Sequence, residues 1–468
     1  MKLKKVAVGV LAAVVSVTMI TGCMPSKVGN SESSDGKIHI TLGGNPTERN
    51  DKNAASYDLF QQNIQKLAEK YPNIDAKADA WSFDIRNYLT KAAAGDLPTL
   101  YTTSPTELRT IVDNDYAKDI TDLMKKYGYD KMTNDKYASL YTYNGKCYGM
   151  IKNGSLYNVG LAYNIRLFEQ AGLLDENGVP KFPQTWDELA ETAKTIKEKT
   201  GKSGFAIPDM NNHGGWFFMN IMWSYGAEMM KEENGKWVAT FASDEGAQAL
   251  QFIKDLKWKY NVLPASDLIS LTDIQQSFSI NDVAMMFELS SNLDNAVKKC
   301  GLDVKNVAMS KLPAGPAGRF SQIGATIYVF SGNEEQNDAC FKWLETIGEG
   351  PYLTDSMKEQ WEKSYKIKNE QKYLLGLAPS DYWIEEERNN AEKELIDKYR
   401  TVEQKFFDDY SKEEGVTFKF EPERCVQQMY AGLDTAIQQV LMDKNADCKA
   451  ILEQVQSDFQ KNYLDKEQ

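Results

Sequence analysis

Histidine is nearly absent, because the 468-residue chain contains only His39 and His213. His39 lies in the run Ile38–Leu42, whose alternation predicts a strand with His39 on its polar face. So few histidines argue against a histidine-rich zinc site and against a Ser-His-Asp triad that uses His39. The phosphate-binding pattern GxxxxGK and the dinucleotide-binding pattern GxGxxG are also missing. We therefore expect neither a metal ion nor a cofactor.

Basic residues are too few to balance the acidic ones. The chain has 54 Lys and Arg against 67 Asp and Glu, a formal net charge of −13 at pH 7. The first 22 residues hold three of the lysines and no acid, so a chain without them would carry −16. No basic block reverses this charge locally. Such a surface repels nucleic acid and anionic lipid headgroups, so we expect no nucleic-acid partner.

Cysteine is sparse and shows no pattern. Beyond Cys23, the cysteines are odd in number, scattered and without CxxC spacing: Cys147, Cys300, Cys340, Cys425 and Cys448. A disulfide framework is not indicated; buried thiols are the simpler interpretation, and a single bridge stays open. Long apolar runs are equally scarce, because none after the amino-terminal one is long enough to span a bilayer.

The amino terminus has the layout of a secretory leader. Three lysines among the first five residues precede an apolar run of fifteen residues, Val6–Ile20, which is short for a membrane span. The run leads into Ile20-Thr21-Gly22-Cys23, which resembles the bacterial lipobox. This resemblance implies a signal peptide over residues 1–22 and a diacylglycerol on Cys23. The alternative is an uncleaved signal anchor with an incidental cysteine.

The segment after the leader, residues 23–36, is small and polar. It has nothing to bury and therefore indicates a flexible tether. More than one acyl chain gives stable residence on a bilayer, whereas one chain anchors only marginally. We expect a lipid-anchored protein on the extracellular face of the cell membrane, whose folded body faces solvent.

The body alternates strand-like and helical segments. Strands are predicted at Lys37–Leu42, Ile74–Ala80 and Thr99–Thr103, with helices at Ala54–Lys70 and Asn87–Ala94 between them. This βαβαβ start predicts a parallel sheet covered by helices, with ligands at the carboxyl ends of the strands. Roughly 445 residues exceed one compact core, so we expect two α/β lobes. Further predicted strands lie at 204–208, 283–287, 307–311 and 325–330, and charged helices are predicted from about residue 385 onward.

Six motifs follow one another along the chain: Tyr88–Pro98, Asn144–Met150, Leu161–Leu173, Pro183–Leu189, Ser277–Phe287 and Leu312–Pro316. In this order and spacing they resemble the extracellular solute-binding proteins of ABC-type sugar importers, in the maltose-binding class. The chain departs from the family pattern where Thr99 replaces an acid, where Met150-Ile151 replaces a proline step, and where Asn281-Asp282 replaces Gly-Lys. Several motif residues have structural reasons of their own. Thr185 and Glu188 predict a helix-capping box, and Trp186 inside that helix is expected to pack in the core.

The resemblance implies a periplasmic-binding-protein-like α/β fold of class II (type 2) topology, with two lobes joined by a hinge. The implied lobes are residues 37–152 with 307–348 for the amino-terminal lobe, and 153–306 with 349–468 for the carboxyl-terminal lobe. It implies a monomer that is not an enzyme and that closes on a carbohydrate, and the several aromatic loops favour an oligosaccharide. The loaded protein would then dock on the transmembrane permease of an ABC transporter. A lipobox upstream is typical of the family in Gram-positive bacteria.

Sugars present hydroxyl rims and apolar faces, so their sites need amides or carboxylates together with aromatic rings. Carried over from the family by strand-end loops and hinge, the expected contacts are Gly44, Asn45, Trp81, Asp84, Thr103, Ser104, Asn153, Asp209, Asn211, His213, Trp216, Glu288, Ser291, Asn292, Gln322, Tyr382 and Trp383. The segment 208–216 is the most informative, because it joins a carboxylate, two amides, an imidazole and an indole. Its alternative interpretation is a polar loop that caps a helix. Ser290, Ser291 and Asn292 stand where the family often has a Gly-Trp element.

Two other functions stay open on the sequence alone. A lipid-anchored glycoside hydrolase would also use tryptophan stacking and a pair of carboxylates, and spacing cannot exclude such a pair among so many acids. The same fold could also carry a peptide, a polyamine or a metal ion, although two histidines make a metal cargo a poor fit.

Overall fold

The computed structural model describes residues 36–466 except 267 and 423. The predicted signal peptide 1–22, Cys23 and nearly all of the predicted tether lie outside the described residues. The folded body begins at Ile38. Its strands are β1 (Ile38–Gly43), β2 (Ile74–Asp79), β3 (Leu100–Thr103), β4 (Thr142–Tyr143), β5 (Lys146–Cys147), β6 (Gly149–Asn158), β7 (Gly160–Asn164), β8 (Met230–Glu233), β9 (Lys236–Ala239), β10 (Met285–Glu288), β11 (Val307–Ser310), β12 (Phe320–Phe330) and β13 (Thr417–Lys419).

The described part of the chain contains sixteen α-helices. They are α1 (Ala54–Lys70), α2 (Ile85–Ala93), α3 (Leu108–Asp113), α4 (Thr121–Tyr127), α5 (Tyr129–Met132), α6 (Ile165–Ala171), α7 (Trp186–Thr200), α8 (His213–Tyr225), α9 (Asp244–Trp258), α10 (Leu271–Ser279), α11 (Leu293–Cys300), α12 (Glu334–Thr346), α13 (Asp355–Glu370), α14 (Glu386–Lys398), α15 (Val426–Met442) and α16 (Cys448–Asn462). Among the helices of the described residues, none combines the length and the apolar character that a bilayer crossing would need.

The first sheet has the order β13-β12-β3-β1-β2, with β6 also paired to β12. Ile40 and Leu42 alternate into the core, and the strands β1, β2 and β3 run parallel. Helix α1 buries Phe60 and Leu67, seven residues apart on one face. The predicted βαβαβ start is therefore confirmed. Because the strands are parallel, their carboxyl ends after Gly43, Asp79 and Thr103 face the same edge.

The second sheet consists of β7 between β10 and β11, both antiparallel to it. Every residue of β7 is buried, as expected for a central strand. The predicted strand at 204–208 is not a regular strand; Ser203 and Ala206 make isolated bridges to Val283 and Met286. This segment lies beside β10 and leads directly into the loop before α8.

Each sheet has its own apolar core, which confirms the expected two-lobed α/β arrangement. The first core includes Tyr88, Tyr101 and Val329, and the second includes Trp186 and Phe287. The chain passes into the second lobe through β6, which leads into β7, returns through β12, and crosses again before α15, which packs in the second core. These two long strands pair antiparallel, with a register irregularity between Ala325 and Ile327. We refer to β6 and β12 as the hinge strands.

The lobe boundaries differ from the expected ones at two places. Strand β11 pairs with β7 in the second sheet, so the chain returns to the first lobe through β12 and not at residue 307. Tyr382 and Trp383, expected in the second lobe, belong to the first core. The reason is backbone pairing with the first lobe: Trp383 forms a β-bridge with Thr133, and the Tyr382 carbonyl accepts a hydrogen bond from Asn134 N.

The capping prediction around Thr185 is confirmed in its main feature. The Thr185 hydroxyl accepts a hydrogen bond from Glu188 N at the start of α7, and a Glu188 carboxylate oxygen accepts one from Gln184 N. Trp186 is buried, and its indole donates to the Ser224 hydroxyl at 2.7 Å. As expected, Trp186 packs in the second core.

Candidate functional site

The site begins at the amino terminus of α8, which follows the segment beside β10. Asn211 and Asn212 both have left-handed backbone conformations, with φ of 59° and 68°. Asparagine tolerates this conformation better than most residues, so the chain can turn sharply into the helix. Gly215 allows α8 to pack closely on α15: a Cβ there would lie 2.4 Å from the Tyr430 carbonyl oxygen.

Asp434 on α15 caps this helix end across the interface. Its carboxylate accepts hydrogen bonds from Asn212 N and Gly215 N, both at 2.7 Å. Burial is the largest influence on this group and raises the pKa of Asp434 to about 6, although the backbone hydrogen bonds oppose the shift. The positive end of α8 is therefore already covered by a carboxylate of the protein itself.

Trp216 lies one turn into α8 and presents a half-buried indole. Its ring contacts Phe217 and Tyr157, with centroid separations of 4.7 and 6.3 Å. Phe217 in turn stacks on Phe287 of β10, 5.1 Å away and tilted by only 12°. The core thus fixes the plane of the indole, and the Trp216 Nε1–H donates to Glu421 at 3.1 Å.

Glu421 lies between β13 and α15 and is held from two sides. Its Oε1 accepts hydrogen bonds from the Trp216 indole and, at 2.8 Å, from the Tyr430 hydroxyl. The pKa of Glu421 is raised to about 7, mainly by burial; the hydrogen bonds from Tyr430 and Trp216 oppose this rise, and the nearby Glu107 carboxylate contributes to it. The Gln322 amide lies close enough to lower that pKa. Glu421 is thus oriented by two hydrogen bonds and ionises less readily than a free carboxyl group.

These residues surround a cavity of about 290 Å³ that draws on the first lobe, the hinge strand β6 and the second lobe. Small-molecule sites are typically concave, largely apolar and provided with a few placed polar groups. The lining fits this description: Ser104, Tyr157, Asn211, Asn212, His213, Trp216, Phe217, Leu271, Glu288, Leu289, Asn292, Glu421, Gln427 and Tyr430. A larger cavity of about 650 Å³ lies between residues 175–184 and 405–412, but its lining is mostly charged and takes nothing from the first lobe.

Six of the seventeen expected contacts line the smaller cavity: Ser104, Asn211, His213, Trp216, Glu288 and Asn292. Glu288 is fully buried, and its carboxylate accepts hydrogen bonds from Gln275, Leu289 N and Asn292. Because these hydrogen bonds already engage its carboxylate, Glu288 mainly orders the loop after β10 and has little capacity left to accept a hydrogen bond from a ligand. Gln322 is buried beside Glu421, and its backbone N–H donates to Asn220.

Five expected contacts mark the strand ends of the first lobe but do not line this cavity: Gly44, Asn45, Trp81, Asp84 and Thr103. Gly44 N donates to the Trp81 carbonyl, and the Asn45 amide donates to the carbonyls of Leu42 and Gly43. The Trp81 ring packs in a group of aromatic rings with Tyr88 and Tyr101. These residues shape the loops of the first lobe, and their part in ligand binding stays a prediction.

Five expected contacts are placed elsewhere. Tyr382 and Trp383 are only 0% and 3% exposed, so neither ring offers a surface to stack on. Asp209 is fully buried, and its carboxylate accepts a hydrogen bond from Ile269 N, which fixes the backbone before α8 to the segment before α10. Asn153 N donates to the Glu349 carboxylate within the hinge. Ser291 is exposed and lies outside the cavity lining.

The sequence interpretation missed Tyr157, Glu421, Gln427 and Tyr430. Tyr157 belongs to the hinge strand β6, one residue before its end, and the other three belong to the tail that was interpreted as charged helices. The signal for Glu421 is the short alternating run Thr417–Phe420, which contains β13 (Thr417–Lys419) and ends directly before Glu421. The same strand-end rule that found Ser104 would have found Glu421.

Replacing Glu421 by glutamine is expected to flatten the pH dependence of stability between about pH 4.5 and pH 7. The folded-state pKa lies above the unfolded value of 4.5, so the folded protein keeps a proton that the unfolded chain has lost. This contribution is complete below the unfolded pKa and disappears as pH rises through 7. Between these two pH values, the change in the free energy of unfolding measured with urea should differ between the two proteins by about 3 kcal/mol.

Asp244→Asn is the control for that experiment. Asp244 is exposed, and its hydrogen bond with Lys449 lowers the pKa of Asp244, so its small contribution has the opposite sign and is lost as pH falls. Parallel curves for the wild type and Glu421→Gln would contradict the raised pKa of Glu421.

Comparison with known proteins places this geometry in a family. Residues 51–348, more than half of the chain, match the family model described as bacterial extracellular solute-binding protein. A curated binding protein of Brucella abortus is 27% identical over 198 residues, 42% of this chain and 45% of that protein. The chain therefore spans less than half the length of the curated relative it matches.

Solved structures agree on the fold. The GacH receptor of Streptomyces glaucescens, determined unliganded and with acarbose, superposes with a TM-score of 0.65 at 19% identity over 91% of this chain and 98% of that one. UgpB of Mycobacterium tuberculosis, determined with glycerophosphocholine, has a TM-score of 0.65 at 15% identity over 92% and 100% of the two chains. Identities this low establish the fold alone. The expected two-lobed α/β fold of the periplasmic-binding-protein type is confirmed, and this chain belongs to the family of bacterial extracellular solute-binding proteins.

Proposed function

We propose that the chain captures a carbohydrate, in particular an oligosaccharide, between its lobes and delivers it to the transmembrane permease of an ABC transporter. The observation that carries this proposal is the cavity around Trp216, where an indole, two tyrosines, two carboxylates and four amides converge from both lobes and the hinge. Aromatic faces suit the C–H surface of a sugar, and carboxylates and amides suit its hydroxyl groups. The acarbose complex of the GacH receptor supports the same choice of cargo.

Capture would work by closure about β6 and β12. A ligand held by Ser104 on one side and by Trp216 and Glu421 on the other would stabilise the closed form over the open one. The ligand shifts this equilibrium only by the difference between its affinities for the two forms, so contacts to both lobes are essential. The protein would act as a monomer that needs no cofactor.

A lipid on Cys23 would hold this receptor beside its permease. The body carries no basic surface block that could bind an anionic membrane by itself, and so residence on the membrane depends on the lipid. We expect Cys23→Ser to move the protein from the membrane fraction to the medium while its ligand affinity stays unchanged. Membrane retention of the serine variant after a high-salt wash would argue for an uncleaved signal anchor.

Calorimetric titration of the purified protein with a panel of neutral oligosaccharides tests the proposed function. We expect saturable binding of one class of sugar, with no products after prolonged incubation. Glu421 and Glu288 are the carboxylates that line this cavity, and a glycoside hydrolase would need such a pair, so product analysis by chromatography is part of the same experiment. Turnover would establish the hydrolase alternative, and binding of non-sugar solutes alone would establish a different cargo.

A further inference from the structure

The cavity around Trp216 is lined by acidic side chains but, among the described residues, by no permanently cationic ones. Glu288 and Glu421 belong to its lining, and no lysine or arginine stands among the described residues that form it. His213 is the remaining side chain that could become a cation, but burial lowers the pKa of His213 and keeps the ring neutral near pH 7. An anionic group of the ligand would therefore meet only acidic side chains and neutral polar groups in this lining, without a cation of the protein to balance its charge.

The helix end at this cavity does not change that balance. Asn211, Asn212 and His213 line the cavity at the start of α8, where free backbone N–H groups would ordinarily attract an anion. Asp434 already accepts hydrogen bonds from Asn212 N and Gly215 N. The protein's own carboxylate thus occupies the place that a phosphate or carboxylate of the ligand would need.

The two basic residues nearest to Glu421 in sequence are directed elsewhere. Lys419 lies over the rings of Trp223 and Phe320, and its ammonium group is 3.8 Å from Glu228. The Arg424 guanidinium lies over the ring of Trp237. Neither residue lines the cavity, so neither can neutralise an anion bound there. On the opposite side, the buried Glu107 of the first lobe adds to the negative field at Glu421.

We propose that this cavity selects its cargo by charge, accepting neutral and amine-bearing saccharides and excluding uronates and sugar phosphates, with Glu421 as the residue that decides. This inference rests on the proposed function and narrows its substrate class. Oε1 of Glu421 already accepts two hydrogen bonds, so its Oε2 is the oxygen expected to receive a ligand hydroxyl or ammonium group. An anionic group would lose hydration in this cavity without gaining a counter-cation, and the ionised form of Glu421 would repel it.

A glycan array that carries neutral, amine-bearing, uronate-containing and phosphorylated saccharides tests the proposal on the wild-type protein. We expect every bound glycan to be neutral or amine-bearing. Calorimetry then compares one neutral binder with its derivative oxidised to a uronate at C6, which we expect to bind at least 100-fold more weakly. An acidic glycan that binds within tenfold of its neutral parent overturns the proposal.

Variants at Glu421 identify the residue responsible. Glu421→Gln keeps the size and the acceptor oxygen, so we expect neutral binding to weaken by less than tenfold and the penalty for the uronate to fall below tenfold. Glu421→Lys is expected to favour the uronate over its neutral parent. A full uronate penalty in Glu421→Gln overturns the role of Glu421. Circular dichroism confirms that each variant is folded, and the wild-type array stands independently of both variants.

Failure of the proposed function gives a different result. If no glycan binds, the carbohydrate assignment fails, and the charge rule is tested by thermal shift with spermidine and choline against citrate and glycerol 3-phosphate. Stabilisation by either cation, and by neither anion, supports the rule for a non-sugar cargo. Stabilisation by an anion, or by none of the four probes, overturns it.

Discussion

Replacing Trp216 by alanine is expected to weaken ligand binding about 100-fold, equivalent to about 2.7 kcal/mol. Two losses combine in this variant. The ligand loses an aromatic surface whose plane is fixed by Phe217 and Phe287, and Glu421 loses the indole that holds its Oε1. Anchoring aromatic residues at the centre of a binding site commonly cost this much when truncated. Calorimetric titration with the cognate solute measures the change.

Two further variants separate these losses. Trp216→Phe keeps an aromatic face but removes the N–H that reaches Glu421, and we expect a loss of about tenfold. Trp258→Phe is the matched control, because that indole lies on α9, is exposed, and donates to the Val440 carbonyl far along the second lobe. It should leave affinity unchanged. Equal affinities for the wild type and Trp216→Ala would remove this cavity as the ligand site.

Replacing Arg388 by alanine is expected to lower the free energy of unfolding by about 3–5 kcal/mol. This guanidinium is fully buried between the rings of Trp361 and Trp383, at 4.9 and 4.2 Å from their centroids. It pairs with Glu392 at 3.4 Å, and the Tyr365 hydroxyl donates to the same carboxylate. Removing the cation leaves a buried carboxylate uncompensated and a cavity between two large rings.

Urea unfolding of Arg388→Ala and Arg49→Ala distinguishes burial from pairing. Arg49 forms two hydrogen bonds to Asp58, at 2.8 and 3.1 Å, but both side chains are exposed. Exposed pairs contribute little, so we expect Arg49→Ala to lower the free energy of unfolding far less than Arg388→Ala does. Ligand affinity should be preserved in both variants, since neither arginine lines the cavity. Comparable losses in the two variants would contradict the structural role assigned to Arg388.

The parts of the fold with local signals could be predicted from the sequence. The βαβαβ start has regular apolar periodicity, and the helix beginning at Trp186 has a capping signal, so both are found where the sequence indicated. The pairing of β11 could not be predicted, because a four-residue strand with all residues buried fits either sheet equally well. The partner of a short strand is decided by tertiary packing.

The candidate site could also be predicted only where its residues carry a local sequence signal. The loop before α8 combines several functional groups within a few residues, and it stands at the cavity as expected. Tyr382 and Trp383 are aromatic residues of the kind that stack on sugars, but tertiary contacts with Thr133 and Tyr129 bury them in the first core. The place of Glu421 at the cavity could not be predicted, because β13 has only three residues and pairs with a strand almost one hundred residues earlier.

The most direct test of the central claim is a crystal structure of the protein with its bound solute. We predict electron density for the solute between the lobes, in contact with Ser104, Trp216 and Glu421, with the hinge formed by β6 and β12 closed around it. Density for the solute only in the larger cavity between residues 175–184 and 405–412, with the Trp216 cavity empty, would contradict the account.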